Sequence, residues 1–181
     1  WPTIPLALHG VIYRADGSCV EINIGGKDED PVFCITDLLP HLGAKQGEKK
    51  LNDAIPGENL NVLVASRPVE DKELENRVKL NVLKMLYEAY GIAEKDFINA
   101  EIEVVPAFKA RDIGLDRAMI GSYGHDDRVD AYPALMAEIE TKDPAYTTVC
   151  VLTDKEETGS DGVTGLNSMY TFHFLQQLCA A

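Results

Sequence analysis

The 181-residue chain carries 17 basic and 30 acidic side chains, a formal net charge of −13, and 45% of its residues are hydrophobic. This composition excludes an intrinsically disordered chain, and the acidic balance argues against a nucleic-acid partner, because phosphate binding needs a basic surface. No apolar run is long enough to span a membrane, and no signal peptide precedes the first strand. We therefore expect no membrane partner and a cytoplasmic location.

The first predicted elements form a β-hairpin. Residues 6–13 and 18–24 are apolar-rich segments that flank Asp16-Gly17, a dipeptide typical of tight turns between strands. Residues 32–43 predict a strand that runs into a helical turn, and residues 44–59 predict an exposed, mobile loop. A third strand is expected at 60–67, and Pro68 ends it.

The clearest helical pattern covers residues 70–90, where apolar side chains including Leu74 recur at spacings of three and four and Gly91 follows. Residues 100–108 predict another strand. A second helical pattern, 125–140, contains Pro133, which we expect in the first helical turn or at a kink. The sequence TTVCVL (147–152) predicts a buried strand, and the chain ends in a largely apolar helix.

These elements predict a mixed α/β fold in two parts. Residues 1–112 are β-rich around one long amphipathic helix, and residues 113–181 alternate helix, strand and helix, as an α/β layer does. Because the chain starts on Trp1 and ends within or just after a helix, we expect an excised piece of a longer protein.

Two acidic clusters lie at predicted junctions between core elements. His125-Asp126-Asp127 precedes a helix, and Glu156-Glu157 follows the predicted buried strand. In open α/β sheets, ligands bind outside the carboxyl ends of the strands, where both clusters would lie if the two segments are neighbours. A divalent cation would offset the repulsion between adjacent carboxylates. Alternatively, these acids are solvated and cap helix starts, where the helix dipole favours negative charge.

The sequences GHDDRVDAY…ALMA and VCVLTDKEETGS resemble the paired motifs of the aspartyl aminopeptidase family, the co-catalytic zinc metallopeptidases that include vacuolar aminopeptidase I. IPLALHGV, DPVFCITDLLPHL, GENLNVLVASRP and VPAFKARDIGLDRAMIGSYG resemble the same family in the same order, so the similarity covers nearly the whole chain. The resemblance implies that residues 1–112 are a lid and dimerisation domain. Residues 113–181 would then be part of the α/β zinc-peptidase catalytic domain.

The resemblance also implies roles for individual residues. Asp126 matches the aspartate that bridges two zinc ions, Glu157 matches a ligand of one ion, and Glu156 matches the general base that removes a proton from the attacking water. Lys155 stands where the family often has a histidine. On sequence alone His41 is best explained as a structural histidine beside a proline turn, but it matches a lid histidine that reaches into the neighbouring subunit's active site.

The expected parent is therefore a zinc-dependent aminopeptidase that acts on peptides as a homo-oligomer, with dimers assembled into a tetrahedral dodecamer. Manganese or cobalt overlaps with zinc at carboxylate-rich sites. The family's upstream His-x-Asp motif and C-terminal histidine ligand have no counterpart in this chain, so we expect its active site to be incomplete. The alternatives are a non-catalytic oligomerisation or lid module, and a glutamyl-aminopeptidase-like metallopeptidase.

Overall fold

The computed structural model describes residues 3–180. With 34% of residues helical and 19% in strands, it confirms the predicted mixed α/β class. The strands are β1 (Leu6–Tyr13), β2 (Cys19–Ile24), β3 (Cys34–Ile35), β4 (Val62–Leu63), β5 (Ala100–Pro106), β6 (Arg111–Ile113) and β7 (Met119–Gly121). The α-helices are α1 (Ala44–Gly47), α2 (Arg77–Tyr90), α3 (His125–Glu140) and α4 (Met169–Ala180). Short 3₁₀ helices cover Leu51–Asp53, Gly57–Asn59, Glu94–Asn99 and Glu156–Thr158.

The chain divides into two compact units, of which the first ends at Tyr123 and the second begins at Gly124. This division lies further along the chain than the predicted boundary between residues 112 and 113. Strands β6 and β7 pair with each other as an antiparallel hairpin, and the pairing keeps both strands in the first unit. The assignment of the two parts to a lid and a catalytic domain stays a prediction.

The first unit is built around an antiparallel sheet in the order β2-β1-β5. The predicted hairpin is confirmed, since β1 pairs with β2 from Leu8–Ile24 to Tyr13–Cys19. In its turn, the Asp16 carboxylate accepts hydrogen bonds from the Ser18 backbone N–H at 2.9 Å and from the Ser18 hydroxyl at 2.6 Å. These two bonds lower the pKa of Asp16, because they stabilise its ionised form.

A small apolar core lies on one face of this sheet. Ile12 and Ile22 project from β1 and β2 and pack with Ile92, which follows α2, and all three are almost fully buried. Burying a side chain of this size contributes about 1.5 to 3 kcal/mol to folding. Packing in this core therefore holds the segment just after α2 against the β1–β2 hairpin.

Helix α2 begins later than predicted. Residues 70–76 are not helical: Asn76 has a left-handed backbone (φ 52°), and the segment folds back onto the helix start. There the Arg77 guanidinium donates from Nε to the Val69 carbonyl at 3.0 Å, and the Val69 N–H donates to the Arg77 carbonyl at 3.2 Å. Leu74, assigned to the helix from spacing alone, consequently lies outside it. The predicted C-terminal end of α2 is confirmed, because Gly91 (φ 64°) adopts the left-handed conformation that commonly ends a helix.

Other predicted elements of the first unit are shorter or more regular than expected. The third strand is confined to β4, whose two residues pair with β3. The predicted loop at 44–59 contains α1 and two 3₁₀ turns. None of the helices in the described part of the chain is long and apolar enough to cross a membrane.

Two predictions for the second unit are wrong. Pro133 lies inside α3 beyond its first turn, and the non-helical backbone occurs instead at Asp126 and Asp127. Residues 147–152 do not form a strand, and Val151 and Leu152 are 48% and 55% exposed. A strand requires a hydrogen-bonded neighbour, and within residues 124–180 the only pairing is a single bridge between Asp154 and Gly165.

Candidate active site

Asp126 and Asp127 lie at the irregular start of α3. Their backbone angles are non-helical, the peptide bond between them is cis, and the regular helix begins at Arg128. Gly124 precedes them with φ 76°, and its carbonyl accepts a hydrogen bond from the Arg128 guanidinium at 3.3 Å. Both carboxyl groups are solvent-exposed. The chain thus presents two adjacent acids on a bent segment instead of along a helix face.

The Asp127 carboxyl is surrounded by other acidic groups. Its pKa is raised to about 6, first by a hydrogen bond that protonated Asp127 donates to Asp126 and by the negative charge of Asp126. Reduced solvation and the charges of Glu156 and Asp130 add smaller contributions. The charge contributions among these causes arise because the neighbouring carboxylates repel ionised Asp127. A divalent cation bound among them would offset this repulsion.

Glu156 and Glu157 begin the 3₁₀ turn that covers Glu156–Thr158. Lys155 precedes it with a left-handed backbone (φ 66°), and Gly159 follows it in the same region (φ 93°). Both glutamates are exposed, and the charge of Glu156 reaches Asp127. Within the second unit Glu156 is therefore near enough for its charge to raise the pKa of Asp127, whereas the individual roles of Asp126, Glu156 and Glu157 stay predictions.

His41 lies in the first unit, in a turn between β3 and α1. The turn is closed by backbone bonds from Leu42 and Gly43 to the Leu39 carbonyl at 2.8 and 3.0 Å. The His41 side chain is exposed. Its predicted catalytic role concerns a neighbouring subunit's site, so it stays a prediction.

The donor set of the second unit fits a divalent metal ion in part. Carboxylate oxygens bind such ions, and the mutual repulsion at Asp126, Asp127 and Glu156 is what a cation would relieve. Among residues 3–180, however, no group of three or more His, Cys, Asp or Glu side chains is arranged to hold a metal ion. About three protein ligands per ion are usual in catalytic zinc sites. The predicted ligands Asp126 and Glu157 would therefore make up only part of a ligand set.

Sequence reasoning assigned no role to Asp127, although it placed that residue near the predicted rim. It also passed over Gly165 and Asn167, which contact the chain just after the Glu156 turn. The only signal available for these two residues was their position in the sequence TGLNS, shortly before the final helix.

Clustered carboxylates on the loops of a mixed α/β fold are typical of hydrolases that use divalent metal ions. Residues 1–181 match the family model described as Aminopeptidase I zinc metalloprotease (M18). The chain belongs to this M18 family, which confirms the resemblance found in its motifs.

Relatives of the chain include two proteins named Probable M18 family aminopeptidase 1. The protein from Clostridium acetobutylicum is 49% identical over 170 residues, which cover 94% of this chain and 37% of the relative. The protein from Borrelia garinii is 47% identical over 180 residues, which cover 98% and 39%. The crystal structure of an M18 aminopeptidase from Thermotoga maritima aligns with a TM-score of 0.84 at 47% identity, covering 99% of this chain and 39% of that one. The chain thus spans less than half the length of these relatives.

Proposed function

We propose that the full-length parent of this chain is a zinc-dependent aminopeptidase that hydrolyses the N-terminal residue of peptides. The proposal is carried by the match of the whole chain to the M18 family, and it is supported by the negative charge that Glu156 exerts on Asp127, the neighbour of Asp126. Relatives that share nearly half of its residues are named aminopeptidases, which supports the same activity.

In the proposed site Asp126 would bridge two metal ions and Glu157 would bind one of them, and the remaining ligands would come from chain outside this segment. Bound zinc lowers the pKa of water and polarises a carbonyl, and manganese or cobalt could supply the same chemistry. Glu156 takes the proton of the attacking water and later delivers it to the departing amine. The two adjacent glutamates would thus have separate roles: Glu157 would bind metal, and Glu156 would transfer a proton.

Removing the metal is the direct test of this activity. We expect the purified full-length protein to release amino acids from aminoacyl substrates, to lose that turnover after chelation, and to regain it when zinc is added. The release rate is followed with a chromogenic aminoacyl substrate. Turnover that persists after the metal content has fallen to background would contradict the proposal.

The first unit is proposed to act in assembly, as part of a cytoplasmic homo-oligomer of dimers arranged as a dodecamer. Leu38, Leu39 and Leu42 support an interaction surface, because they are 59%, 59% and 64% exposed and adjoin the His41 turn. The same surface supports a second candidate function for this segment, that of a lid or oligomerisation module without catalytic residues of its own.

His41→Ala in the full-length protein distinguishes these two candidates. We expect turnover to fall at least about tenfold, because His41 is proposed to hydrogen-bond the oxyanion in a neighbouring subunit's site. Zinc content and oligomer size are expected to stay unchanged. His9→Ala is the matched control, since His9 is an exposed histidine on β1 of the same unit. Normal turnover in His41→Ala would leave His41 a structural residue.

A further inference from the structure

The turn that carries Glu156 is closed by several bonds to one carbonyl. The Lys155 carbonyl accepts from the Ser160 N–H at 2.8 Å, from the Thr158 N–H at 3.2 Å and from the Thr158 hydroxyl at 3.1 Å. The Glu156 carbonyl accepts from the Gly159 N–H at 2.9 Å. These bonds fix the local backbone of the turn. They do not by themselves fix where the turn lies relative to the rest of the second unit.

Asn167 supplies that second attachment. Its backbone N–H donates to the Ser160 carbonyl at 3.1 Å, and its side-chain amide donates to the Gly159 carbonyl at 3.1 Å, with a weaker contact to the Asp161 carboxylate at 3.5 Å. Helix α4 begins two residues later, at Met169. Asn167 therefore links the end of the Glu156 turn to the start of a long helix.

Gly165 brings the two segments close enough for these bonds. It is buried, it forms a bridge with Asp154 just before the Glu156 turn, and it packs against the backbone just after the turn. A Cβ atom at this position would lie 2.2 Å from the Ser160 carbonyl oxygen and 2.6 Å from that of Asp161. No real side chain tolerates such contacts with backbone. Residues 165–167 thus contact the chain on both sides of Glu156 and Glu157.

We propose that Asn167 is a positioning residue, which holds the Glu156 carboxylate where it can take a proton from the attacking water. The inference rests on the proposed role of Glu156 as general base. Asn167 acts through the backbone, because its amide bonds to the Gly159 carbonyl and not to Glu156 itself. A base must lie within hydrogen-bond reach of the proton that it removes, and a misplacement of about 1 Å can lower the rate about 100-fold.

Asn167→Ala in the zinc-loaded full-length protein is the first test. We expect kcat to fall by about 10- to 100-fold, with KM within about twofold and zinc content unchanged. In Asn167→Asp, which keeps the shape of the side chain but loses the amide donor, kcat is expected to fall to a similar extent. Asn61→Ala is the matched control: Asn61 donates from its amide to the Glu58 carbonyl at 2.9 Å in an exposed turn of the first unit. We expect that variant to keep normal kcat.

A double-variant cycle separates positioning from folding. If Asn167 acts through Glu156, Asn167→Ala should lower kcat by less than about twofold when Glu156 is already Gln, because sites that act as a unit are not additive. If Asn167→Ala lowered kcat by the same factor with Glu156 present as with Gln at that position, the inference would be overturned. Asn167 would then have only a structural role. Normal kcat in Asn167→Ala beside a strongly impaired Glu156→Gln would also overturn it. Normal turnover in Glu156→Gln would instead refute the proposed role of Glu156 itself.

Discussion

Glu156→Gln in the full-length protein is expected to lower turnover by about 100- to 10,000-fold while zinc content stays at the level of the unmodified protein. Glutamine keeps the size and shape of the side chain but cannot accept a proton from the attacking water. Because the general base is proposed not to bind metal, the ions should stay in place. Turnover is measured with an aminoacyl substrate, and zinc by atomic emission of the dialysed protein.

Glu140→Gln is the control for this variant, because Glu140 is an exposed glutamate at the end of α3 in the same unit. It is expected to keep both turnover and zinc. The roles assigned to the adjacent glutamates would be reversed if Glu156→Gln lost zinc while Glu157→Gln retained it. Unchanged turnover in Glu156→Gln would remove Glu156 from the catalytic machinery.

Asp126→Asn is expected to lose both metal and activity. A bridging ligand contributes negative charge to two ions at once, and the neutral amide of asparagine provides much less attraction for either. The loss should exceed tenfold in zinc affinity, the lower end of what removing even an outer partner of a metal ligand produces. Isothermal titration of the metal-free protein with zinc measures this affinity directly.

Asp143→Asn provides the matched control for that substitution. Asp143 is exposed, belongs to the same unit, and has a left-handed backbone (φ 49°) that asparagine adopts readily. It is expected to leave zinc affinity unchanged. Full zinc binding by Asp126→Asn would show that the ions are held elsewhere and that the acids of α3 belong to a solvated helix start.

The sequence predicted those elements whose partners lie nearby in the chain. The β1–β2 hairpin follows from two apolar segments around Asp16-Gly17, and both strands bury residues against the same core. The start of α2 was mispredicted because Leu74 fits the apolar spacing, whereas the bonds between Arg77 and Val69 hold the preceding segment in a loop. Periodicity does not register such side-chain bonds to the backbone.

The strand predicted at residues 147–152 does not form, and the reason differs from that for α2. Its β-branched, apolar composition favours a strand, but strand formation depends on a neighbour, and the described part of the second unit provides a single bridge at Asp154. The chain covers 37% of one relative and 39% of another, so more than half of each relative has no counterpart in it. Local propensity cannot supply a pairing partner that the segment lacks.

The candidate site, too, could be predicted only in part from the sequence. Adjacent acids at two junctions were visible in the sequence, and the structure brings Asp127 within the field of Asp126 and Glu156. The proposed positioning role of Asn167 depends on its hydrogen bond to the Gly159 carbonyl. No sequence pattern predicts that hydrogen bond. His41 lies in the other unit, so its predicted contact with a site in a neighbouring subunit can be tested only in the assembled parent.

X-ray diffraction from crystals of the full-length protein at the zinc absorption edge would locate the metal ions of the proposed site. We expect two anomalous peaks at about 2.0 to 2.2 Å from the Asp126 carboxylate, one of them also bound by Glu157 and neither bound by Glu156. The absence of any zinc peak at Asp126, or a zinc ion that Glu156 binds in place of Glu157, would contradict the proposed site.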